Sequence, residues 1–137
     1  MKINIKKLDD NFHMEATNDD GNSIFMDSSP DLGGQGKGMR PMQLLLAAVG
    51  GCSSIDVVLI LKKQKQIIDS FEVEVEGERQ KVDDHKPFKD ICLHFKIKGK
   101  VDFDKAERAI KLSLGKYCSV SKTLEPTANI TYKISIN

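Results

Sequence analysis

The sequence predicts an α+β fold, and three observations carry that prediction. Short runs in which apolar and polar residues alternate recur along the chain, which is the period of half-buried strands. Between Arg40 and Lys62 the only charge is Asp56, and the run is far too long and continuously apolar for one strand. A later stretch, from about Asp102 to Tyr117, sets Phe103, Ala106, Ile110, Leu114 and Tyr117 on one helical face.

Taken in order, Ile3 and Ile5, then Phe12, Met14 and Ala16, then Ile24 and Met26 predict three short strands. Asp9-Asp10-Asn11 is turn chemistry. Asn18-Asp19-Asp20-Gly21-Asn22 is a stronger turn signal, because Asp-Gly supplies the positive φ of a tight hairpin. Residues 28 to 39 open with Ser28-Ser29-Pro30 and carry Gly33, Gly34, Gly36 and Gly38, which reads as an open connector or a loop over a site. Neither a Gly-Lys-Ser/Thr ending nor a GxGxxG spacing is present, so a phosphate cradle is not indicated.

Pro41 suits the first turn of a helix, where its missing N–H would lack a partner anyway. That helix is expected to run to about Gln66 and, being apolar nearly all round, to be buried on most sides. Asp56 and the small residues Gly50-Gly51 and Ser53-Ser54 argue against a membrane span, since a charge deep in a bilayer is costly. One small domain has little material to surround such a helix; a second copy of the chain would supply it.

Phe71, Val73 and Val75 alternate with glutamates. Ile91, Leu93, Phe95 and Ile97 alternate with Cys92, His94, Lys96 and Lys98. The outward faces carry opposite charge, which favours cross-strand pairing through the polar loop Asp83 to Pro87. Asp102 is placed to cap the amphipathic helix. Ile130, Tyr132, Ile134 and Ile136 predict a last strand.

A chain of 137 residues suits a single domain, 1–137. A net charge of +1 without a basic stripe gives no sign of nucleic-acid binding, and no membrane association is expected. The opening Met1-Lys2-Ile3-Asn4-Ile5-Lys6-Lys7 alternates instead of running apolar, unlike a signal peptide. Three cysteines make a poor disulfide framework, so a cytoplasmic protein with reduced thiols is expected.

Those cysteines differ in setting. Cys52 follows Gly50-Gly51 and precedes Ser53-Ser54; it reads either as a small core residue or as a thiol beside a pocket that small neighbours leave open. Cys118 lies at a helix end between Lys116 and Lys122; it reads either as a thiol that reaches solvent, its pKa lowered by the cations, or as an incidental partly buried cysteine. Cys92 sits on the polar face of its strand without an activating partner and reads as a bystander. His13, His85 and His94 form no metal-binding spacing, and neither a metal nor a cofactor is expected. Asp56 reads as a satisfied buried carboxylate, paired with a basic group or backbone donors.

The stretch Arg40-Pro41-Met42-Gln43-Leu44-Leu45-Leu46-Ala47-Ala48-Val49-Gly50-Gly51-Cys52 resembles the start of the central helix in OsmC/Ohr proteins. Lys116-Tyr117-Cys118-Ser119-Val120 resembles their second-cysteine motif, in the form of the YhfA-like branch. The resemblance covers nearly the whole chain. It implies an OsmC-like fold, with antiparallel sheets wrapped around two long central helices in an intertwined homodimer. It also implies thiol peroxidase chemistry: Cys52 would attack an organic hydroperoxide, and Cys118 would close a disulfide on the resulting sulfenic acid.

The peroxidase members carry a glutamate right after the helix-starting proline, where it holds a catalytic arginine. Met42 occupies that position here. No arginine occurs before Arg40, which precedes Cys52 by twelve residues, roughly 15 to 18 Å along a continuous helix. Arg40 would therefore act from a partner chain or through loop folding. Arg79, next to Glu78, is a second basic candidate. Two functions follow as expectations: a thiol-dependent peroxidase recycled by a dithiol, or a non-catalytic dimer that binds a small apolar ligand or senses redox state.

Overall fold

The computed structural model describes all 137 residues, which fall into two compact units, Met1–Leu45 and Leu46–Asn137. The first unit is a three-stranded antiparallel sheet followed by the glycine-rich segment. Its strands are β1 (Ile3–Lys7), β2 (Met14–Asn18) and β3 (Ser23–Met26), in the order β1-β2-β3. Gly21 takes φ +84° in the hairpin between β2 and β3, as the Asp-Gly signal requires.

The glycine-rich segment is not an open connector. Asp27, 3% exposed, accepts backbone N–H bonds from Ser28 at 2.7 Å, Lys37 at 3.0 Å and Gln35 at 3.1 Å. One carboxylate thus folds ten residues of loop around itself. Gly34 permits the fold, because a Cβ there would sit 1.7 Å from the Ser28 carbonyl oxygen. Lys37 also reaches Asp9 at 3.0 Å, tying this segment to the turn after β1.

The long helix α1 spans Pro41–Lys63. Gln43 accepts the Arg40 backbone N–H at 2.9 Å, a side chain three residues in reaching back to the helix start. The helix ends three residues before the expected Gln66, with Lys65 at φ +57°.

The second unit holds a three-stranded sheet of β4 (Ile67–Arg79), β5 (Phe88–Lys100) and β6 (Asn129–Ile136), with β5 central. Lys96 of β5 reaches Glu74 at 2.8 Å and Glu72 at 3.7 Å on β4, as the opposed charges predict. One pairing departs from the all-antiparallel expectation: β6 runs parallel to β5. The cause is the connection. Between them lie α2 (Phe103–Leu112), a π-type turn at Ser113–Tyr117 and α3 (Ser119–Leu124), and such a crossover returns the chain in the same direction. Asp102 caps α2 by accepting the Lys105 N–H at 3.0 Å. The single helix expected to reach Tyr117 is therefore two elements, α2 and the π-type turn, with α3 following.

Ile91, Leu93, Phe95 and Ile97 of β5 are buried, together with Ala106, Ala109 and Ile110 of α2. From α1 only Val49, Gly50, Ser53, Val57 and Leu61 join them. These recur every four residues and form one stripe. Burial on most sides is thus not met within one chain, because the sheet and α2 offer one surface to pack on. The opposite face leaves Ile55 71% and Leu59 49% exposed. By length and composition α1 could cross a membrane, a test that the core helix of a soluble protein passes equally well.

Candidate functional site

Two devices bring the chemistry-bearing residues together in the second unit. On α1, Cys52 and Asp56 are four residues apart and so share a face. At the end of α2, the π-type turn adds one residue per turn and bonds the Cys118 N–H to the Ser113 carbonyl at 2.8 Å. That turn tucks Cys118 inward as the N-cap of α3. The Cys52 and Cys118 sulfurs and an Asp56 carboxylate oxygen all lie within 4.8 Å of one another.

The surroundings are polar, closed behind the serines and Cys118 and half-open at Cys52 and Asp56. Ser113 Oγ donates to Asp56 Oδ2 at 2.9 Å and lies 3.2 Å from Ser53 Oγ. Both serines are buried, while Cys52 and Asp56 are half-buried. The Ser121 N–H donates to Cys118 Sγ at 3.3 Å. All three cysteines are free thiols.

Of the two readings of Cys118, the solvent-reaching, cation-activated thiol is overturned. Cys118 is fully buried. Burial pushes its pKa up to about 11; the Ser121 amide opposes this, and Cys52 and Asp56 add to it. The flanking lysines do not serve it. Lys116 lies over the Tyr117 ring, and Lys122 pairs with Glu125 at 3.2 Å.

Asp56 has neither of its expected partners; a serine hydroxyl takes the place of a basic group or backbone donors. Its closeness to both sulfurs is the feature that sequence reasoning missed. The available signal was the i,i+4 spacing from Cys52. Cys92 stays outside the cluster, half-buried on β5. None of the histidines joins it either: His94 bonds Ser135 at 2.7 Å, and His13 stacks near Phe25.

The basic candidates are placed otherwise. Arg40 belongs to the first unit and is exposed. Its charge helps to hold the Asp31 carboxyl below the usual range, behind the larger effect of the Ser29 hydroxyl. Arg79 Nε donates to the Lys86 carbonyl at 2.6 Å, which commits it to the β4–β5 loop. Gln43 is occupied as a helix cap, and neither Met42 nor Gln43 carries a carboxylate.

A sequence model described as OsmC-like protein matches residues 34–133. The chain belongs to the OsmC-like family. Protein YhfA of Escherichia coli K12 is 42% identical over 117 residues, covering 85% of this chain and 84% of YhfA. A hypothetical protein from Aquifex aeolicus VF5 superposes with a TM-score of 0.81 at 28% identity, over 99% of this chain and 96% of that one. An organic hydroperoxide resistance protein from Elizabethkingia anophelis shares the fold, with a TM-score of 0.76 at 18% identity, over 100% and 97% of the two chains. The OsmC-like match spans both compact units and includes Arg40, Cys52, Asp56 and Cys118.

Proposed function

We propose that this OsmC-like protein is a homodimeric thiol peroxidase of modest rate, acting on organic hydroperoxides through Cys52 and Cys118. The observation that carries this reading is the approach of the two sulfurs to within 4.8 Å, since a sulfenic acid formed on one can be captured by the other without a large movement. Cys52, the less buried thiol, is the attacking group. Its thiolate takes the terminal oxygen of the hydroperoxide, the O–O bond breaks, and the alkoxide leaves as the alcohol after gaining a proton. Cys118 then attacks the Cys52 sulfenic acid, an S–S bond forms and water departs. A cellular dithiol reduces the disulfide and restores both thiols.

The same reading takes residues 1–137 as one functional domain, in a soluble cytoplasmic protein linked to oxidative-stress defence. It places α1 of each chain at the centre of an intertwined dimer. Support comes from the exposed apolar face of α1, where a groove of about 390 Å³ is lined by Ser54, Ile55, Val58, Leu59 and Lys62. Arg40 of the partner chain is the proposed source of the cation that stabilises the Cys52 thiolate. The test is hydroperoxide consumption by the wild type, with Cys52→Ser and Cys118→Ser as controls. Cys52→Ser should abolish turnover. Cys118→Ser should leave a single stoichiometric oxidation of Cys52. Turnover that persists in Cys52→Ser would refute the reading.

One observation favours the second reading, a redox-sensing or ligand-binding dimer. The charged side chain within the cluster is the carboxylate of Asp56, which opposes thiolate formation. Disulfide formation between Cys52 and Cys118 without catalytic turnover by any dithiol would select that reading.

A further inference from the structure

We propose that Cys52, Cys118 and Asp56 form a three-ligand site for a thiophilic divalent cation, Zn²⁺ foremost, and that cation binding and disulfide formation exclude one another. The inference goes beyond the peroxidase reading and does not depend on it. Two thiolates and one carboxylate are all zinc donors, and three protein ligands plus a water make a common open four-coordinate arrangement. With Zn–S near 2.3 Å and Zn–O near 2.0–2.2 Å, tetrahedral donors stand roughly 3.5 to 3.8 Å apart. The observed atoms lie within 4.8 Å of one another, so small side-chain rotations close the set.

Three further features of the site fit this use. First, the ligands are held from behind: Ser113 fixes the Asp56 carboxylate at 2.9 Å, and the Ser121 amide fixes Cys118 at 3.3 Å. Such outer-sphere bonds orient metal ligands and tune their affinity. Second, the cluster has a half-exposed side, through Cys52 and Asp56, that leaves an entry path and a place for the water. Third, the charge makes sense. A divalent cation displaces the two thiol protons to solvent and holds both thiolates and the carboxylate by attraction. Thiolate donors select zinc or cadmium over magnesium and calcium, which prefer oxygen.

Once Cys52 and Cys118 are joined as a disulfide, neither sulfur carries the charge that binds the cation. Conversely, a bound cation occupies the Cys52 sulfur and protects it from peroxide. The site is therefore a metal site only in the reduced protein.

The experiment uses the reduced full-length protein, titrated with Zn²⁺ by calorimetry and with Cd²⁺ by ultraviolet thiolate-to-metal absorption. One cation per chain is expected. Zn²⁺ should protect Cys52 from alkylation, as mapped by mass spectrometry, and leave Cys92 reactive. Cys52→Ser and Cys118→Ser should each abolish the absorption band. Asp56→Asn should weaken binding by at least about tenfold, and Cys92→Ser should change nothing. Peroxide pretreatment should remove binding from the wild type. Protection centred on Cys92, binding unaffected by either serine variant, or undiminished affinity in Asp56→Asn would each overturn the proposal. The protection map is read on wild-type protein and so stands even if a variant folds poorly. Metal binding is measured without peroxide, so its failure and failure of the peroxidase reading are separate results.

Discussion

The pH profile of Cys118 follows directly from where the π-type turn puts it. Its thiol is fully buried and lies near Cys52 and Asp56, and its pKa stands at about 11 against an ordinary 9.0. At pH 8 a thiol of pKa 9 is about 10% ionised and one of pKa 11 about 0.1%, so the thiolate population falls roughly a hundredfold. The assay is alkylation of the reduced protein from pH 7 to 11, with Cys118 followed by peptide mass and a denatured sample as reference. Burial by itself also slows entry of the reagent, so the midpoint of the profile is the quantity to read, not the rate. The native midpoint should lie above the denatured one. Asp56→Asn should move it down part of the way only, because burial is the largest cause and survives the substitution. The stability linkage has a definite sign: a thiol whose folded pKa is raised binds its proton more tightly in the native state. Its contribution is fully present below about pH 9 and is lost as pH rises towards about 11. A native midpoint at or below the denatured one would refute this account of the site.

Other consequences can be checked with single substitutions. Gly77→Ala should destabilise the protein by about 1–3 kcal/mol in urea unfolding. A Cβ at that position would stand 2.5 Å from the Phe88 ring and 2.9 Å from a Leu46 methyl, and a buried ring cannot step aside. Asp27 should show a carboxyl pKa below the ordinary range, chiefly from the Lys37 amide and then those of Ser28 and Gln35. The glycine-rich loop should therefore hold above that range and loosen as pH falls through the depressed pKa, read as faster hydrogen exchange at those amides; Asp27→Asn should show the same loosening at neutral pH. Ile55→Lys should convert the proposed dimer to monomer in sedimentation, since Ile55 is 71% exposed in one chain and would be covered in two. An unchanged mass would remove α1 from the interface.

Much of the fold was legible because its strands are half-buried, and alternation reports a half-buried strand directly. β5 shows this best: its apolar residues face in and Cys92, His94 and Lys96 face out, as their order in the chain predicts. The Asp102 cap was equally legible, since capping is a local interaction. Strand direction was not. Whether β6 runs with or against β5 depends on the path of the crossover, and β6 alternates identically in either case. The break in the second helix was hidden for a related reason. Leu114 and Tyr117 keep helical spacing, so nothing in the pattern reveals that the backbone slips to a π-type turn at Ser113. That slip decides the burial of Cys118, and the nearby lysines, which suggested activation, turn to Tyr117 and Glu125 instead.

The candidate site was half legible for a similar reason. The resemblance to OsmC/Ohr motifs singled out Cys52 and Cys118 as a pair, but their electrostatic setting arises from side chains far apart in sequence. Ser113 holds Asp56 across 57 positions, and no local pattern encodes that. The result is a site whose charge is inverted relative to an arginine-activated thiol. An arginine beside a sulfur lowers its pKa and makes it reactive at neutral pH; a carboxylate near a buried thiol adds to the rise that burial causes, as Asp56 does for Cys118. For Cys118 this suits the proposed resolving role, in which the thiol stays protonated until a sulfenic acid forms on Cys52. For Cys52, the proposed attack on a peroxide calls for a positive charge beside the sulfur. A guanidinium from a partner chain and a thiophilic cation are the two candidates advanced here. They act on the same sulfur with opposite effect: the first frees its electrons for attack on a peroxide, and the second occupies them.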